Sequence, residues 1–148
     1  MEAEARHKPD VLRRYEGAGI VVHWEPSLCI HVANCIRALP DVFDPNARPW
    51  VRVDAAGAEE IAAAIRSCPT GALRYERTDG APQEPPDVPT TVQPRRNGPL
   101  FVRGDIEVMN GDGEVIRRAT RIAFCRCGQS NNKPYCDLSH RAVGFQAE

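Results

Sequence analysis

The stretch that decides the fold is 125-CRCGQSNNKPYCDLSH-140, which holds three cysteines and one histidine within sixteen residues. A single residue separates Cys125 from Cys127, a spacing that suits two thiolates converging from an extended loop. The four-residue step from Cys136 to His140 is about one helical turn and places both side chains on one helix face. The four candidate ligands therefore form two pairs, which suit the two irons of a 2Fe-2S cluster better than a single tetrahedral ion.

The order of residues in this stretch resembles the CDGSH iron–sulfur family. The match consists of Cys-x-Cys followed by Ser130, Pro134 and the run Cys-Asp-x-Ser-His. The resemblance implies a 2Fe-2S cluster, with Cys125 and Cys127 on one iron and Cys136 and His140 on the outer, more solvent-facing iron. It also implies a supporting role for four residues, namely Ser130, Pro134, Asp137 and Ser139.

One position departs from the family pattern, because Leu138 stands where the family has glycine. The loss of glycine prevents close backbone approach at this point, so we expect altered packing beside the cluster or at a dimer contact. Asp137 is placed to cap the short helix that carries Ser139 and His140. We therefore expect the ligand geometry to be preserved.

A structural zinc site is the main alternative, since zinc accepts the same set of three cysteines and one histidine. Paired zinc-binding cysteines are usually separated by two to four residues, whereas Cys125 and Cys127 are separated by one. The spacing favours iron–sulfur chemistry. A disulfide framework is disfavoured, because nothing in the sequence indicates export and the pattern includes His140.

Charge and hydropathy exclude several classes of function. The chain of 148 residues has 19 basic and 20 acidic side chains, a near-neutral balance that does not favour nucleic acid as a partner. Its longest apolar runs, such as 61–65, are too short to span a membrane. The first ten residues, MEAEARHKPD, lack the apolar core of a signal peptide. We therefore predict a cytoplasmic protein, where six cysteines indicate metal ligation or redox chemistry.

The other three cysteines predict a second site in the first half of the chain. Cys29 and Cys35 are separated by five residues, and Cys68 is followed by proline. Bacterial ferredoxins place cysteines at three-residue intervals in one loop and add a distant Cys-Pro. Here Val32 occupies the middle position of the loop and cannot ligate metal. The loop thus offers two thiolates, and Cys68 offers a third.

This half of the chain resembles the divergent single-cluster 4Fe-4S domain, which in bacteria occurs alone or joined to a CDGSH domain. The resemblance is carried by CIHVANC (29–35), PDVFDP (40–45), RPW (48–50) and CPTGAL (68–73). It implies a 3Fe-4S or a 4Fe-4S cluster on Cys29, Cys35 and Cys68. His31 is the candidate fourth ligand, and the alternative is an exposed loop histidine that tunes or shields the site.

The whole chain is predicted to be an α+β protein with two small domains. We expect a mobile arm over residues 1–18, a ferredoxin-like domain over 19–77, a proline-rich linker over 78–98, and a small β-rich CDGSH-type domain over 99–148. Period-two alternation predicts strands at 20–24, 50–54 and 73–76, and helical spacing predicts a helix over 55–67. The turn 110-NGDG-113 predicts a hairpin between 100–109 and 114–125.

Nothing in the sequence matches a catalytic constellation, so we predict no catalytic residues and no enzyme activity. The leading hypothesis is electron transfer between redox partner proteins. The alternative is an iron–sulfur cluster carrier or a redox or pH sensor, in which a labile histidine-ligated cluster is passed to apo-acceptor proteins. A zinc-bound interaction module is the third hypothesis. The family resemblance also raises a homodimer, with pairing inside one chain as the other arrangement.

Overall fold

Alternating apolar side chains build the first of two sheets. The structure is a computed structural model, and it describes residues 12–148. Strands β1 (Arg13–Gly17), β2 (Ile20–Trp24) and β3 (Leu73–Arg77) form an antiparallel sheet in that order. Ile20 and Val22 of the central strand are completely buried. The predicted strand at 20–24 is therefore confirmed.

Two helices follow β2 and cover this sheet. Helix α1 (Asn34–Ala38) lies in the cysteine loop, and helix α2 (Ala58–Arg66) carries Glu59 and Glu60 in its first turn, where they complement the helix dipole. Ile61 and Ile65 of α2 are fully buried and belong to the core that β2 and β3 also form. A 3-10 turn, Pro26–Leu28, connects β2 to Cys29. The sheet and its helices thus hold the ends of the cysteine loop.

The second sheet is antiparallel and ends directly at the first cysteine of the 125–140 stretch. It contains β4 (Thr91–Pro94), β5 (Leu100–Met109) and β6 (Val115–Phe124), in that order. The Asn110 carboxamide oxygen accepts hydrogen bonds from the backbone N–H groups of Asp112 and Glu114, which closes the predicted hairpin. A short helix, α3 (Ser139–Ala142), follows. No helix in residues 12–148 has the length and apolar character needed to cross a membrane.

Three segments differ from the sequence-based expectations. Within the predicted mobile arm, residues 13–17 form β1, while residues 1–11 lie outside the described residues. The predicted strand at 50–54 is reduced to a bridge between Phe43 and Val51, because the segment bonds to residues 42–44 and not to a sheet. The predicted linker contains β4, since residues 91–94 pair with β5.

The two halves of the chain share a hydrophobic core. Leu28 and Ala72 from the first half pack in one buried cluster with Ile106, Ile122 and Tyr135 from the second. Gly71 lies at this junction with a φ of +75°, and a Cβ atom at this position would collide with the backbone oxygen of Arg121. The first half therefore meets β6 at backbone contact distance.

Arg121 is the most deeply buried charge at this junction, with 1% of its surface exposed. Its guanidinium donates hydrogen bonds to the carbonyl oxygens of Cys68 (2.6 Å) and Leu73 (3.0 Å). It also pairs with both carboxylate oxygens of Glu84 at 2.9 Å. Glu84 belongs to the proline-rich segment, so one side chain fastens both halves and the segment that connects them.

We predict that Glu84→Gln destabilises the protein by about 3–5 kcal/mol at neutral pH, because Arg121 would remain buried without its counter-charge. Burial raises the pKa of Glu84, but the hydrogen bonds and charge of Arg121 outweigh burial and lower this pKa below 4.5. The stabilisation by the Glu84–Arg121 pair is therefore complete above pH 4.5, the ordinary pKa of the carboxyl group. It is lost as the pH falls through the lower pKa that Glu84 has in the folded protein.

Denaturant unfolding measured from pH 7 down to about pH 3 checks this prediction. Wild type should lose stability across the acidic range, and Glu84→Gln should lose less. Asp87→Asn is the control, because Asp87 pairs with Arg103 and its side chain is 47% exposed, so its loss should cost at most about 1 kcal/mol. Equal destabilisation by the two variants would contradict the assigned role of Glu84.

Candidate metal centres

Strand β6 delivers the first candidate ligand of the second half. The Cys125 N–H donates to the carbonyl oxygen of Pro134 at 2.9 Å, which holds the cysteine loop closed. The Sγ atoms of Cys125 and Cys127 lie 3.8 Å apart, and the Cys136 Sγ lies 3.5 Å from His140 Nδ1. These four residues line one small cavity. The structure therefore brings the predicted ligands together in the two pairs expected from their spacing.

The loop after Cys127 directs backbone N–H groups at sulfur. Gly128 N lies 3.3 Å from the Cys125 Sγ, and Gln129 N lies 3.4 Å from the Cys127 Sγ. Burial raises the pKa of Cys125, but hydrogen bonds from the backbone of Ser130 and Gly128 outweigh it and lower the pKa below the ordinary value. Donors arranged in this way stabilise a thiolate, the form that binds metal.

The predicted supporting residues connect the two ends of this loop. Ser130 Oγ donates to the carbonyl oxygen of Tyr135 at 2.6 Å and accepts from the Asn132 N–H at 3.0 Å. The Asp137 carboxylate accepts from the backbone N–H of Asn131 at 2.8 Å and of Ser139 at 3.0 Å. Ser130 therefore fixes the backbone between Cys127 and Cys136, and Asp137 fixes the backbone on both sides of Cys136.

Leu138, at the position of the family glycine, has left-handed backbone geometry with a φ of +75°. It occupies the N-cap position of α3, and Asp137 binds the first helical N–H from one residue earlier. Its side chain packs against the buried group formed by Ile30, Ala123 and Cys136. Leucine thus accepts a backbone conformation suited to glycine and gains contact with the cysteine loop of the first half.

The imidazole of His140 is half-buried. The pKa of His140 is lowered below 6.5, mainly by burial and to a smaller extent by the positive charges of Arg141 and Arg95. The neutral ring is the form that ligates metal. The surrounding charges therefore extend the pH range over which His140 can act as a ligand.

The three cysteines of the first half also line a common small cavity. Cys29 follows the 3-10 turn, Cys35 lies in α1, and Cys68 follows α2. The pKa of Cys35 is raised to about 11, mainly by burial and to a smaller extent by charge repulsion from the neighbouring Cys68 and Cys29. Three crowded thiols of this kind ionise together only when positive charge is present, which is what a bound iron–sulfur cluster provides. The donor set therefore fits a cluster.

His31 lies at the rim of this cavity. It is exposed, its φ is +58°, and its Nδ1 lies 3.9 Å from the Cys29 Sγ. This position leaves both sequence-based interpretations of His31 open. The structure does explain Val32, whose side chain packs on Ile30 and Cys136 of the junction and thus uses the middle loop position for contact between the halves.

Within residues 12–148, no group of three or more His, Cys, Asp or Glu side chains is arranged to hold a single metal ion. The candidate ligands lie in two separate sets, one in each half of the chain.

Sequence reasoning missed a second charged network beside the two sites. The Glu25 carboxylate, 5% exposed, pairs with Arg74 at 3.0 Å and with Arg117 through two contacts of 2.6 and 2.9 Å. Arg117 Nε also donates to the Tyr135 hydroxyl at 3.1 Å. Tyr135 precedes the candidate ligand Cys136, so the network connects the first sheet to the second site. Arg74 and Arg117 lie in strands, where charged residues normally face solvent, and no sequence signal set them or Glu25 apart.

Comparison with known proteins agrees with both halves of this description. The family described as divergent 4Fe-4S mono-cluster matches residues 15–78, and the family described as iron-binding zinc finger CDGSH type matches residues 97–141. The uncharacterized protein YjdI of Escherichia coli K12 is 33% identical over 63 residues, which make up 43% of this chain and 83% of YjdI. YjdI of Escherichia coli O157:H7 gives the same values.

The chain is therefore an iron–sulfur protein. It belongs to the divergent 4Fe-4S mono-cluster family through its first half and carries a CDGSH-type domain in its second half. The resemblances inferred from the two cysteine patterns are confirmed in identity and in order.

We predict that Leu138→Gly is more stable than Leu138→Ala by about 1 kcal/mol, as measured by denaturant unfolding. Both variants lose the packing of the leucine side chain, but only glycine relieves the left-handed backbone, which costs other residues about 1–2 kcal/mol. In a helix, alanine is normally more stabilising than glycine by about 0.5–1 kcal/mol. At position 138 we expect the opposite order of stability. Ala142→Gly in α3 is the matched control and should show the normal order. An alanine variant at least as stable as the glycine variant would refute the strain assigned to Leu138.

Proposed function

We propose that this protein transfers electrons with two iron–sulfur clusters placed close together in one chain and has no substrate chemistry of its own. The second half, a small β-rich domain, would hold a 2Fe-2S cluster on Cys125, Cys127, Cys136 and His140. The first half, an α+β ferredoxin-like unit, would hold a 3Fe-4S or 4Fe-4S cluster on Cys29, Cys35 and Cys68, with His31 as the candidate fourth ligand. A bound cluster of either kind accepts and releases single electrons.

The observation that carries this proposal is the apolar contact between the segments that carry the two candidate ligand sets. Ile30, bonded to Cys29, packs in one buried group with Ala123 and Cys136, a candidate ligand of the other site. Cys29 and Cys68 also pack against the core cluster that contains Tyr135. The two sites therefore meet through apolar side chains, an arrangement that favours electron exchange inside the chain.

The same contacts give the junction the rigidity that electron transfer favours. Ile30 is 3% exposed and Cys136 is 4% exposed, so water is excluded between the sites. The Asn132 side chain donates to the carbonyl oxygen of Ser27 at 3.1 Å, which joins the second cysteine loop to the 3-10 turn that precedes Cys29. Little rearrangement of protein or solvent would accompany a change of charge at either site.

Histidine ligation supports a direction for this exchange. A neutral imidazole in place of a thiolate removes negative charge from a cluster and raises its reduction potential. His140 would thus make the second site the electron acceptor and the first site the donor. External redox partner proteins would supply and remove the electrons, and six cysteines used for metal ligation would suit a cytoplasmic location.

The test is EPR spectroscopy of the anaerobically purified protein, with iron, zinc and sulfide counted on the same sample. We expect about five or six irons per chain and, after full reduction, magnetic interaction between two paramagnetic centres. Gly71→Ala should weaken this interaction, since its Cβ would press on the Arg121 carbonyl oxygen. Gly80→Ala is the matched control, because φ there is also positive but nothing lies within 4 Å.

Two outcomes would reject the proposal. Zinc without acid-labile sulfide would make the protein a zinc-bound interaction module. Two non-interacting signals in fully reduced wild type would show that the sites do not communicate at the short range described here.

We predict that His140→Cys lowers the midpoint potential of the second site by on the order of 100 mV, because the new thiolate adds negative charge. Two histidine ligands raise the reduction potential of Rieske centres by several hundred millivolts above that of plant-type ferredoxins. EPR-monitored redox titration measures the shift, and the first site of the same protein is the internal control. An unchanged potential would show that His140 is not a ligand.

A carrier or sensor of a labile cluster is the second candidate function. It is favoured by the position of His140, which lines an open surface cavity of about 410 Å³ together with Arg95 and Arg141. An acceptor could reach the histidine side of the site from this cavity. Transfer of intact cluster to an apo-acceptor protein would support this function, whereas repeated reduction and oxidation without loss of iron or sulfide would support electron transfer.

A homodimer is a further proposal, and analytical ultracentrifugation would test it by measuring the mass of the protein in solution.

A further inference from the structure

Three exposed arginines lie together on the surface beside the second candidate metal centre. Arg95, Arg96 and Arg141 line the open cavity of about 410 Å³ that His140 borders. No Asp or Glu is among the described residues that line it. The whole chain has a net charge of -1, so this concentration of positive charge is local.

A fourth arginine fixes the shape of this surface. The Arg126 guanidinium donates hydrogen bonds to the backbone oxygens of Gly98 (2.8 Å), Arg95 (2.8 Å) and Glu148 (2.7 Å). It also lies over the ring of Phe145, 5.3 Å from the centroid. These contacts hold the segment that carries Arg95 against the end of the chain. The arginine surface, as named below, consists of Arg95, Arg96, Arg126 and Arg141.

The chain itself shows which chemistry this surface accepts. The Asn97 N–H donates to the Ala147 carbonyl oxygen at 2.7 Å, and the Ala147 N–H donates to the Asn97 carboxamide oxygen at 2.9 Å. These two bonds place the next residue, Glu148, with its carboxylate 3.2 Å from Arg96. A short segment ending in a carboxylate therefore already binds at one edge of the arginine surface.

This internal contact leaves much of the positive charge without a carboxylate. Within residues 12–148, neither Arg95 nor Arg141 forms an ion pair. The nearby Asp137 carboxylate accepts hydrogen bonds from backbone N–H groups of its own loop. The arginine surface can therefore accept more carboxylates than Glu148 supplies.

We propose that the arginine surface docks an acidic segment of a partner protein, whose Asp or Glu side chains pair with Arg95 and Arg141. Opposite charges on two proteins speed their encounter and favour one orientation. A partner docked here lies against His140, beside the second metal centre. The inference rests on the proposed function only in making the partner a redox protein, because docking itself requires no electron transfer.

The test uses the full-length, cluster-loaded protein and a fluorescein-tagged hexaglutamate peptide. Binding is measured by fluorescence anisotropy at about 0.1 M salt, where the Debye length is about 10 Å. We expect saturable binding that weakens at least about ten-fold at about 1 M salt, where the Debye length is about 3 Å. Hexalysine with the same tag should bind at least about ten-fold more weakly than hexaglutamate, because it would face like charges.

Three variants assign the binding to this surface. Arg95→Gln and Arg141→Gln should each weaken binding about three-fold, as expected for the loss of one exposed ion pair. Glu148→Gln should strengthen binding about two-fold, since it frees Arg96 for the peptide. Arg52→Gln is the matched control, because Arg52 is an exposed arginine of the first half and its loss changes the net charge equally. Its affinity should stay within about 1.5-fold of wild type, since salt screens remote charges.

Several outcomes would overturn the proposal. These are no saturable binding of hexaglutamate, equal binding of hexalysine, or equal effects of Arg95→Gln and Arg52→Gln. Displacement of the peptide by an equal concentration of inorganic phosphate would also overturn it, because the surface would then be a site for a small anion. Arg95 is exposed and belongs to neither candidate ligand set, so its variant keeps the proposal testable even if Arg141→Gln disturbs the metal centre.

Failure of this proposal is distinguishable from failure of the proposed function. Binding of hexaglutamate is measured without any change of redox state. If the peptide binds as described but the two metal centres show no magnetic interaction, only the proposed electron transfer is rejected. If the centres interact but the peptide does not bind, only the docking surface is rejected.

Discussion

The buried guanidinium of Arg121 is the interaction on which the arrangement of the two halves depends. It lies on β6 and binds the carbonyl oxygen of Cys68, the carbonyl oxygen of Leu73 and the carboxylate of Glu84. A buried charge is tolerated only when it is fully paired and hydrogen-bonded, so each of these partners is held to its position. The candidate ligand Cys68 is thereby fixed by a residue of the other half, and the two metal sites form one structural unit.

Much of the fold follows from local patterns. The strand at 20–24 and the long hairpin of β5 and β6 were predictable, because alternation and an Asn-Gly turn are signals contained within a few residues. Strand β1 was not predictable, since Arg13–Gly17 has no apolar alternation and is ordered by pairing with β2. Segment 50–54 has strand-like alternation, but tertiary contacts with residues 42–44 override that preference.

The candidate sites were predictable to a different extent. Cysteine spacing predicted both candidate ligand sets, because ligation demands particular residue types at particular separations. The residues around them were not identifiable, since Arg117, Arg121 and Glu25 have roles defined by partners 37 to 92 residues away. Val32 is the clearest example. Sequence comparison with ferredoxins shows a missing cysteine, whereas the structure shows a contact with the second half.

The hydrogen bond from Arg121 to Cys68 also has a consequence for the order in which the protein is made. The two residues are 53 positions apart, and the chain emerges from the ribosome with its N-terminus first. The hydrogen bond that holds Cys68 and the contact that covers Ile30 therefore cannot form until β6 has been synthesised. The first half emerges without these two restraints and gains them only from the second half.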